Sequence, residues 1–223
     1  MKIRVLFNQI SELELLTSFK FKVNKSVPSF SFQQFNISPD IIENLKGLFL
    51  KPVKLKSFEW EIPRISGPGI LLDLLKLLEG SCGTLRKLKI FHEFMDLEKY
   101  QEVWLFNFLR RLEKIEELYL TGFDIHENRF WIDFVDSFMG MKALRFLWIG
   151  IVMSGFKEDW FIKGFGRIIQ KRGLEVLKIE SSFRAGLGEV REPLFLKEIM
   201  KANPSLKEAS NNIRQLLSTT EFE

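Results

Sequence analysis

The chain has 223 residues, of which 46% are hydrophobic and 28% are charged, and its net charge is +4. With 23 Phe, the hydrophobic content is ample for a continuous core. The single cysteine, Cys82, excludes an internal disulfide and favours a reducing compartment. There is no signal-peptide pattern, and every apolar stretch falls far short of the roughly 18 residues that span a bilayer. We therefore expect a soluble, intracellular protein (in the cytoplasm, the nucleus or an organelle) that is not secreted and does not insert into a membrane.

Seven copies of one short motif, apolar-x-x-apolar-x-apolar, follow one another along the chain. Their first residues, called position 1 below, are Leu16, Leu55, Leu85, Ile115, Leu144, Leu174 and Leu206. Subtracting successive first positions gives steps of 39, 30, 30, 29, 30 and 32 residues. Self-similarity with a period of about 20 to 50 residues is typical of a solenoid, in which each unit buries its apolar face against its neighbours.

Each motif predicts a short strand of four to six residues, because apolar side chains at positions 4 and 6 point to the same side. The strands are expected to begin near residues 18, 57, 87, 117, 146 and 176. Helical spacing between the motifs predicts helices over residues 39–50, 70–78, 97–112, 130–139, 160–169 and 194–200. Only half of the residues of each strand are apolar, so one face of the sheet is expected to be exposed to solvent. This argues against a doubly wound sheet or a (β/α)₈ barrel, whose strands are nearly continuous apolar runs.

The motif and its 30-residue period resemble the leucine-rich repeat family, specifically its ribonuclease-inhibitor-like class, over roughly residues 11 to 217. The resemblance implies an α/β solenoid with a curved parallel sheet on the concave face and helices on the convex face. It implies one domain over residues 1–223, with an N-terminal cap (1–15), about seven repeats (16–211) and a C-terminal cap or tail (212–223). The family often has Asn or Cys at position 9, where this chain has Asn24 but also Pro63, Glu93, Phe123, Val152 and Ser182.

No motif indicates catalysis, a cofactor or a metal site. The two histidines, His92 and His126, follow predicted strands and are expected in solvated loops, without an HExxH or CxxC companion. The Gly164–Gly166 pair begins a GxGxxG motif but lies inside a predicted helix, so it does not indicate a dinucleotide site. We expect a protein that is not an enzyme and has no cofactor and no small-molecule substrate.

The concave sheet face is the candidate binding surface. Side chains at positions 3, 5 and 7 alternate away from the core, and adjacent strands lie about 4.8 Å apart. This places four aromatic residues together, surrounded by Lys and Glu, a composition typical of an interface hot spot. The predicted site comprises Phe91, Tyr119, Phe146, Trp148, Lys87, Lys89, Glu117 and Lys178. Among them we expect Trp148 to be the largest exposed apolar group.

Basic residues recur at the predicted helix ends, just before the next strand, where helix dipoles favour them without any ligand. Stacking of the repeats would collect them into a basic edge made of Arg110, Arg111, Lys114, Lys142, Arg145, Lys171 and Arg172. Such an edge could follow phosphates or an acidic protein surface.

These patterns favour a non-catalytic scaffold that binds protein partners through its concave face, as a structural subunit of a larger intracellular assembly. One alternative is a substrate-recognition adaptor of a ubiquitin ligase. Adaptors of that kind carry a separate helical docking domain, and here the repeats are expected to begin by about residue 11. A second alternative is an RNA-binding subunit that uses the basic edge, with nucleic acid as a secondary partner.

Overall fold

A computed structural model describes residues 18–22, 54–61, 68–95, 99–125, 128–153, 163–164, 166–168, 170–184, 205 and 208–216. The predicted helices at 39–50 and 194–200 and the predicted N-terminal cap lie outside these residues, as does the sequence segment 24–38, which contains Phe30, Phe32 and Phe35. The described strands are β1 (Ser18–Lys22), β2 (Ser57–Glu61), β3 (Lys87–Met95), β4 (Glu117–Ile125), β5 (Phe146–Met153), β6 (Val176–Arg184) and β7 (Glu208–Leu216). The described helices are α1 (Pro68–Leu77), α2 (Lys99–Arg110) and α3 (Asn128–Met139), and a 3₁₀ turn covers Glu79–Ser81. Residues 163–164 and 166–168 are also helical.

All seven strands form one sheet in chain order, and each strand pairs with the next in parallel. The six predicted strand starts are confirmed, and the three helices fall within two residues of the predicted starts. Equal motif positions face each other: Leu88 pairs with Leu118, Leu118 with Leu147, and Leu147 with Leu177. The described part of the chain is therefore an α/β structure built on one parallel sheet.

The strands from β3 onward are longer than the predicted four to six residues, reaching eight or nine. In β4 the pairing with β5 skips one residue after Thr121, and Gly122 lies at this bulge with φ of +91°. A positive φ suits glycine, which has no Cβ to clash. Beyond the bulge the ladder resumes, and Phe123 is fully buried. The last strand, β7, also continues past residue 211 into the segment predicted as a C-terminal tail.

The core lies on one face of the sheet. Strand residues at motif positions 4 and 6, such as Leu118 and Leu120, are fully buried and join helix side chains in one apolar cluster. Phe134 of α3 is the centre of an aromatic group, with ring centroids 4.7 to 6.2 Å from those of Phe106, Phe123, Phe130, Trp131 and Phe138. The predicted placement of the core is confirmed for these repeats.

A repeated hydrogen-bond pattern precedes the strands. The carbonyl at motif position 2 accepts bonds from the N–H groups at positions 2 and 3 of the next repeat. Lys56 accepts from Arg86 and Lys87 at 2.7 and 3.0 Å, and Arg86 accepts in the same way from Glu116 and Glu117. The same arrangement continues from Glu116 to β5 and from Arg145 to β6. This backbone ladder holds adjacent repeats in equal register before the strands begin.

Candidate functional site

The open face of the sheet, opposite the core, carries the side chains at motif positions 3, 5 and 7. The parallel register aligns equal positions, and the position-5 row from β1 to β6 is Lys20, Glu59, Lys89, Tyr119, Trp148 and Lys178. This row is charged on the first three strands and aromatic on the next two. The open face therefore has an ionic half and an aromatic half.

The aromatic half is a cluster of four rings, Phe91, Tyr119, Phe146 and Trp148, called the aromatic cluster below. Tyr119 stacks on Phe146 with centroids 4.6 Å apart and lies 6.0 Å from Trp148. Phe91 meets Trp148 edge-on at 6.4 Å. The structure thus brings together the four predicted aromatic residues. They are half-buried, because the rings cover one another, so Trp148 is not the exposed apolar group that was expected.

Two small residues, Thr121 and Gly150, pair with each other on the strands that carry Tyr119 and Trp148. Phe91 lies on β3 and Trp148 on β5, on either side of β4. These two strands are separated by two interstrand spacings, or roughly 9.6 Å, yet the ring centroids of the two residues are only 6.4 Å apart. The two rings therefore lean toward each other across β4, where Thr121 is only 4% exposed. A Cβ at Gly150, the next strand's partner of Thr121, would lie 2.8 Å from the Thr121 Cβ. A side chain at Gly150 would therefore collide with Thr121.

The indole nitrogen of Trp148 is buried, and it has no hydrogen-bond partner among the residues that the structure describes. A buried N–H without a partner costs about 1 to 3 kcal/mol.

The ionic half is a network across β1 to β4. Glu59 accepts from Lys20 at 2.7 Å and from Lys87 at 3.0 Å, and Lys87 also lies 3.4 Å from Glu117. Lys89 pairs with Glu61. The hydrogen bond from Lys20 holds the pKa of Glu59 below its ordinary value, and the hydrogen bond to Glu59 raises the pKa of Lys87.

The predicted site did not include three members of this network, Lys20, Glu59 and Glu61. A signal for them exists in the sequence, since opposite charges occupy equal motif positions in adjacent repeats. The consequence for binding is that the lysines of this half are already neutralised within the chain. A partner that covers them would not need to supply counter-charges.

Tyr119 joins the two halves. The ammonium groups of Lys87 and Lys89 each lie 5.6 Å from the centroid of its ring, and its hydroxyl donates to Glu117 at 3.2 Å. Burial is the main cause that raises the pKa of Tyr119 above its ordinary value. The phenol therefore stays neutral, and the lysine contacts hold its ring in place through cation–π attraction.

The predicted basic residues lie at the strand-start edge, formed by residues 54–56, 79–86, 110–116, 139–145 and 170–175. Six of the seven are exposed: Arg110, Arg111, Lys114, Lys142, Arg145 and Arg172. Arg145 pairs with Glu175, Arg111 lies 3.6 Å from Glu79, and Arg110 donates to Asn107 at 3.3 Å. The prediction of a basic edge thus has a structural counterpart for these six residues.

Lys171 is the exception, because it is buried with only 5% of its surface exposed. It stands three residues before motif position 1, where the preceding repeats have Cys82, Leu112 and Met141, all buried. Its ammonium group lies 3.4 Å from the carbonyl of Met139 at the end of α3, and burial lowers its pKa. Its inclusion among the exposed residues of the basic edge was wrong, since this position of the repeat belongs to the core.

The described part of the chain contains no group of three or more His, Cys, Asp or Glu side chains placed to hold a metal ion. His92 lies within β3 instead of a loop, and His126 is outside the described residues. Across the same described ranges, no helix has the length and apolar character needed to cross a membrane. In comparisons with known proteins, no family matches this chain and no curated protein is significantly similar to it in sequence.

Proposed function

We propose that this chain is a leucine-rich-repeat-like solenoid and a non-catalytic binding module, which holds a protein partner on the open face of its sheet. The solenoid interpretation is supported by the 30-residue motif period, the sequential parallel strands and the repeated backbone ladder before them. In this interpretation the open face is the concave surface, and the chain is a structural subunit of a larger assembly.

The aromatic cluster is the observation that carries the binding proposal. Aromatic side chains, with a rim of charged groups, are the residues that most often dominate the energy of protein interfaces. Here four rings adjoin one another on adjacent strands, beside an ionic half that is neutralised within the chain. In the complex, the apolar centre of the partner's interface would contact the rings, and the periphery of that interface would cover the ion pairs.

The test compares Trp148→Ala with Val103→Ala, a matched control. Val103 is 55% exposed on α2, and the buried side chains of α2 pack on the core face. Loss of a central interface aromatic commonly costs about 2 kcal/mol or more, which is about thirtyfold in affinity. We expect Trp148→Ala to weaken recovery of co-purified partners and Val103→Ala to leave it unchanged, with circular dichroism and unfolding midpoints confirming that both variants are folded. Undiminished recovery with a folded Trp148→Ala protein would place the binding surface elsewhere.

A further inference from the structure

We infer that the strand-start edge is a second interaction surface, which binds an acidic polypeptide segment independently of the open face. The edge carries nine exposed cations, Lys54, Lys56, Arg86, Arg110, Arg111, Lys114, Lys142, Arg145 and Arg172. It carries four carboxylates, Glu79, Glu113, Glu116 and Glu175. Because the strands are parallel and stacked in order, all of these residues lie at one edge of the sheet.

The ion pairs at this edge involve only some of its cations. Arg86 pairs with Glu116 at 2.5 Å, Arg145 pairs with Glu175, and Arg111 lies 3.6 Å from Glu79. Besides Arg110, which donates to the Asn107 side chain, five exposed cations form no ion pair within the described part of the chain: Lys54, Lys56, Lys114, Lys142 and Arg172. The ionic half of the open face is neutralised internally, whereas this edge is not.

The five cations precede β2, β4, β5 and β6, so they span four interstrand spacings, or roughly 19 Å. An extended polypeptide covers that distance with about six residues. Acidic side chains on alternate residues of such a segment would all point to one side and could meet the cations in turn.

Two features favour a polypeptide over a nucleic acid. Glu113 and Glu116 lie among the cations, and a phosphate backbone, charged at every nucleotide, would be repelled there. A polypeptide can place a neutral or basic residue opposite them. In addition, none of the described residues of the edge is aromatic, so the edge has no ring on which bases could stack.

The test uses a fluorescent decapeptide of alternating Glu and Ser, its Gln–Ser analogue and a ten-nucleotide uridine strand, with binding followed by fluorescence anisotropy. The edge variant is Lys114→Glu/Lys142→Glu. The control is Arg129→Glu/Lys163→Glu, which changes net charge equally at two exposed helical residues outside the strand-start edge. A single exposed ion pair contributes little binding energy, but reversing the charge of both lysines should weaken binding of the acidic peptide about tenfold. The control should change it less than about twofold.

The expected affinity for the acidic peptide falls as salt rises, because exposed charges are screened. Equal weakening by both double variants would overturn the inference, since net charge alone would then explain binding. Tighter binding of the uridine strand, lost in the edge variant, would also overturn it in favour of a nucleic-acid surface. Trp148→Ala should bind the acidic peptide as tightly as the unaltered chain does. The proposal for the strand-start edge can therefore be refuted without refuting the proposal for the open face, and the reverse is also true.

Discussion

Replacement of Lys171 by methionine should stabilise the fold. Lys171 is 5% exposed at a repeat position that is otherwise Cys82, Leu112 or Met141. Its burial lowers its pKa, which shows that the environment disfavours the ammonium form. Methionine has a similar length and needs no partner. Lys171→Met removes the cost of burying the charge but loses the contacts of the ammonium group, among them the bond to Met139, which is worth about 0.3–1 kcal/mol at a helix end. We expect a net gain of about 1–2 kcal/mol in the free energy of unfolding.

The pH dependence provides a second readout. A lysine with a lowered pKa in the folded state costs stability while it is protonated, and this cost disappears as pH rises through the folded pKa toward the ordinary value of 10.5. The advantage of Lys171→Met should therefore be largest at neutral pH and should shrink toward pH 10.5. Urea unfolding at both pH values measures it. The control is Lys142→Met, an exposed lysine at the same edge, which should change stability by less than about 0.5 kcal/mol. A destabilised Lys171→Met, or an advantage independent of pH, would refute the reasoning.

Two further predictions concern packing and the ionic half. Gly164→Ala should lower the free energy of unfolding by about 1–3 kcal/mol, because its Cβ would lie 2.2 Å from the Trp131 Nε1. Gly166→Ala, where a Cβ meets nothing within 4 Å, should leave stability unchanged or raise it slightly, and thermal unfolding of the two variants would compare them. Glu59→Gln should lower the free energy of unfolding by about 0.5–1 kcal/mol at pH 7, because the ion pairs of Glu59 are lost. This loss should disappear as the pH falls below the ordinary carboxyl pKa of 4.5 and through the lowered pKa of Glu59, where the carboxyl becomes protonated. A loss that persists at pH 2 would contradict the role of the Glu59 charge.

Strand positions could be predicted because the same apolar spacing recurs at a nearly constant step. A single motif is ambiguous, but the recurrence at Leu85, Ile115, Leu144 and Leu174 sets both the strand starts and their mutual register. Strand ends could not be predicted in this way. The ladder passes position 7 through the bulge at Gly122, whose positive φ depends on pairing with β5 and has no counterpart in the motif.

The candidate site was predicted in its membership but not in its exposure. Alternation places Phe91, Tyr119 and Trp148 on the open face, and the register brings them together as expected. Their half-burial follows from how the rings pack on one another, which is a matter of side-chain packing beyond the period of the strand. Lys171 was misplaced for a related reason. Its charge suggested a surface residue, whereas its repeat position, shared with three buried apolar residues, indicated the core.

The repeats differ mainly in what they carry outside the core, and this separates two kinds of surface. Apart from Lys171, the core positions of the central repeats are apolar, so stacking leaves positions 3, 5 and 7 and the strand-start edge free to vary. On the open face the charges neutralise one another and aromatic rings occupy the centre, which suits an apolar partner whose binding is insensitive to salt. At the strand-start edge exposed cations outnumber carboxylates nine to four, which suits an acidic partner whose binding weakens with salt. The dependence of partner retention on ionic strength would therefore identify which surface holds a given partner.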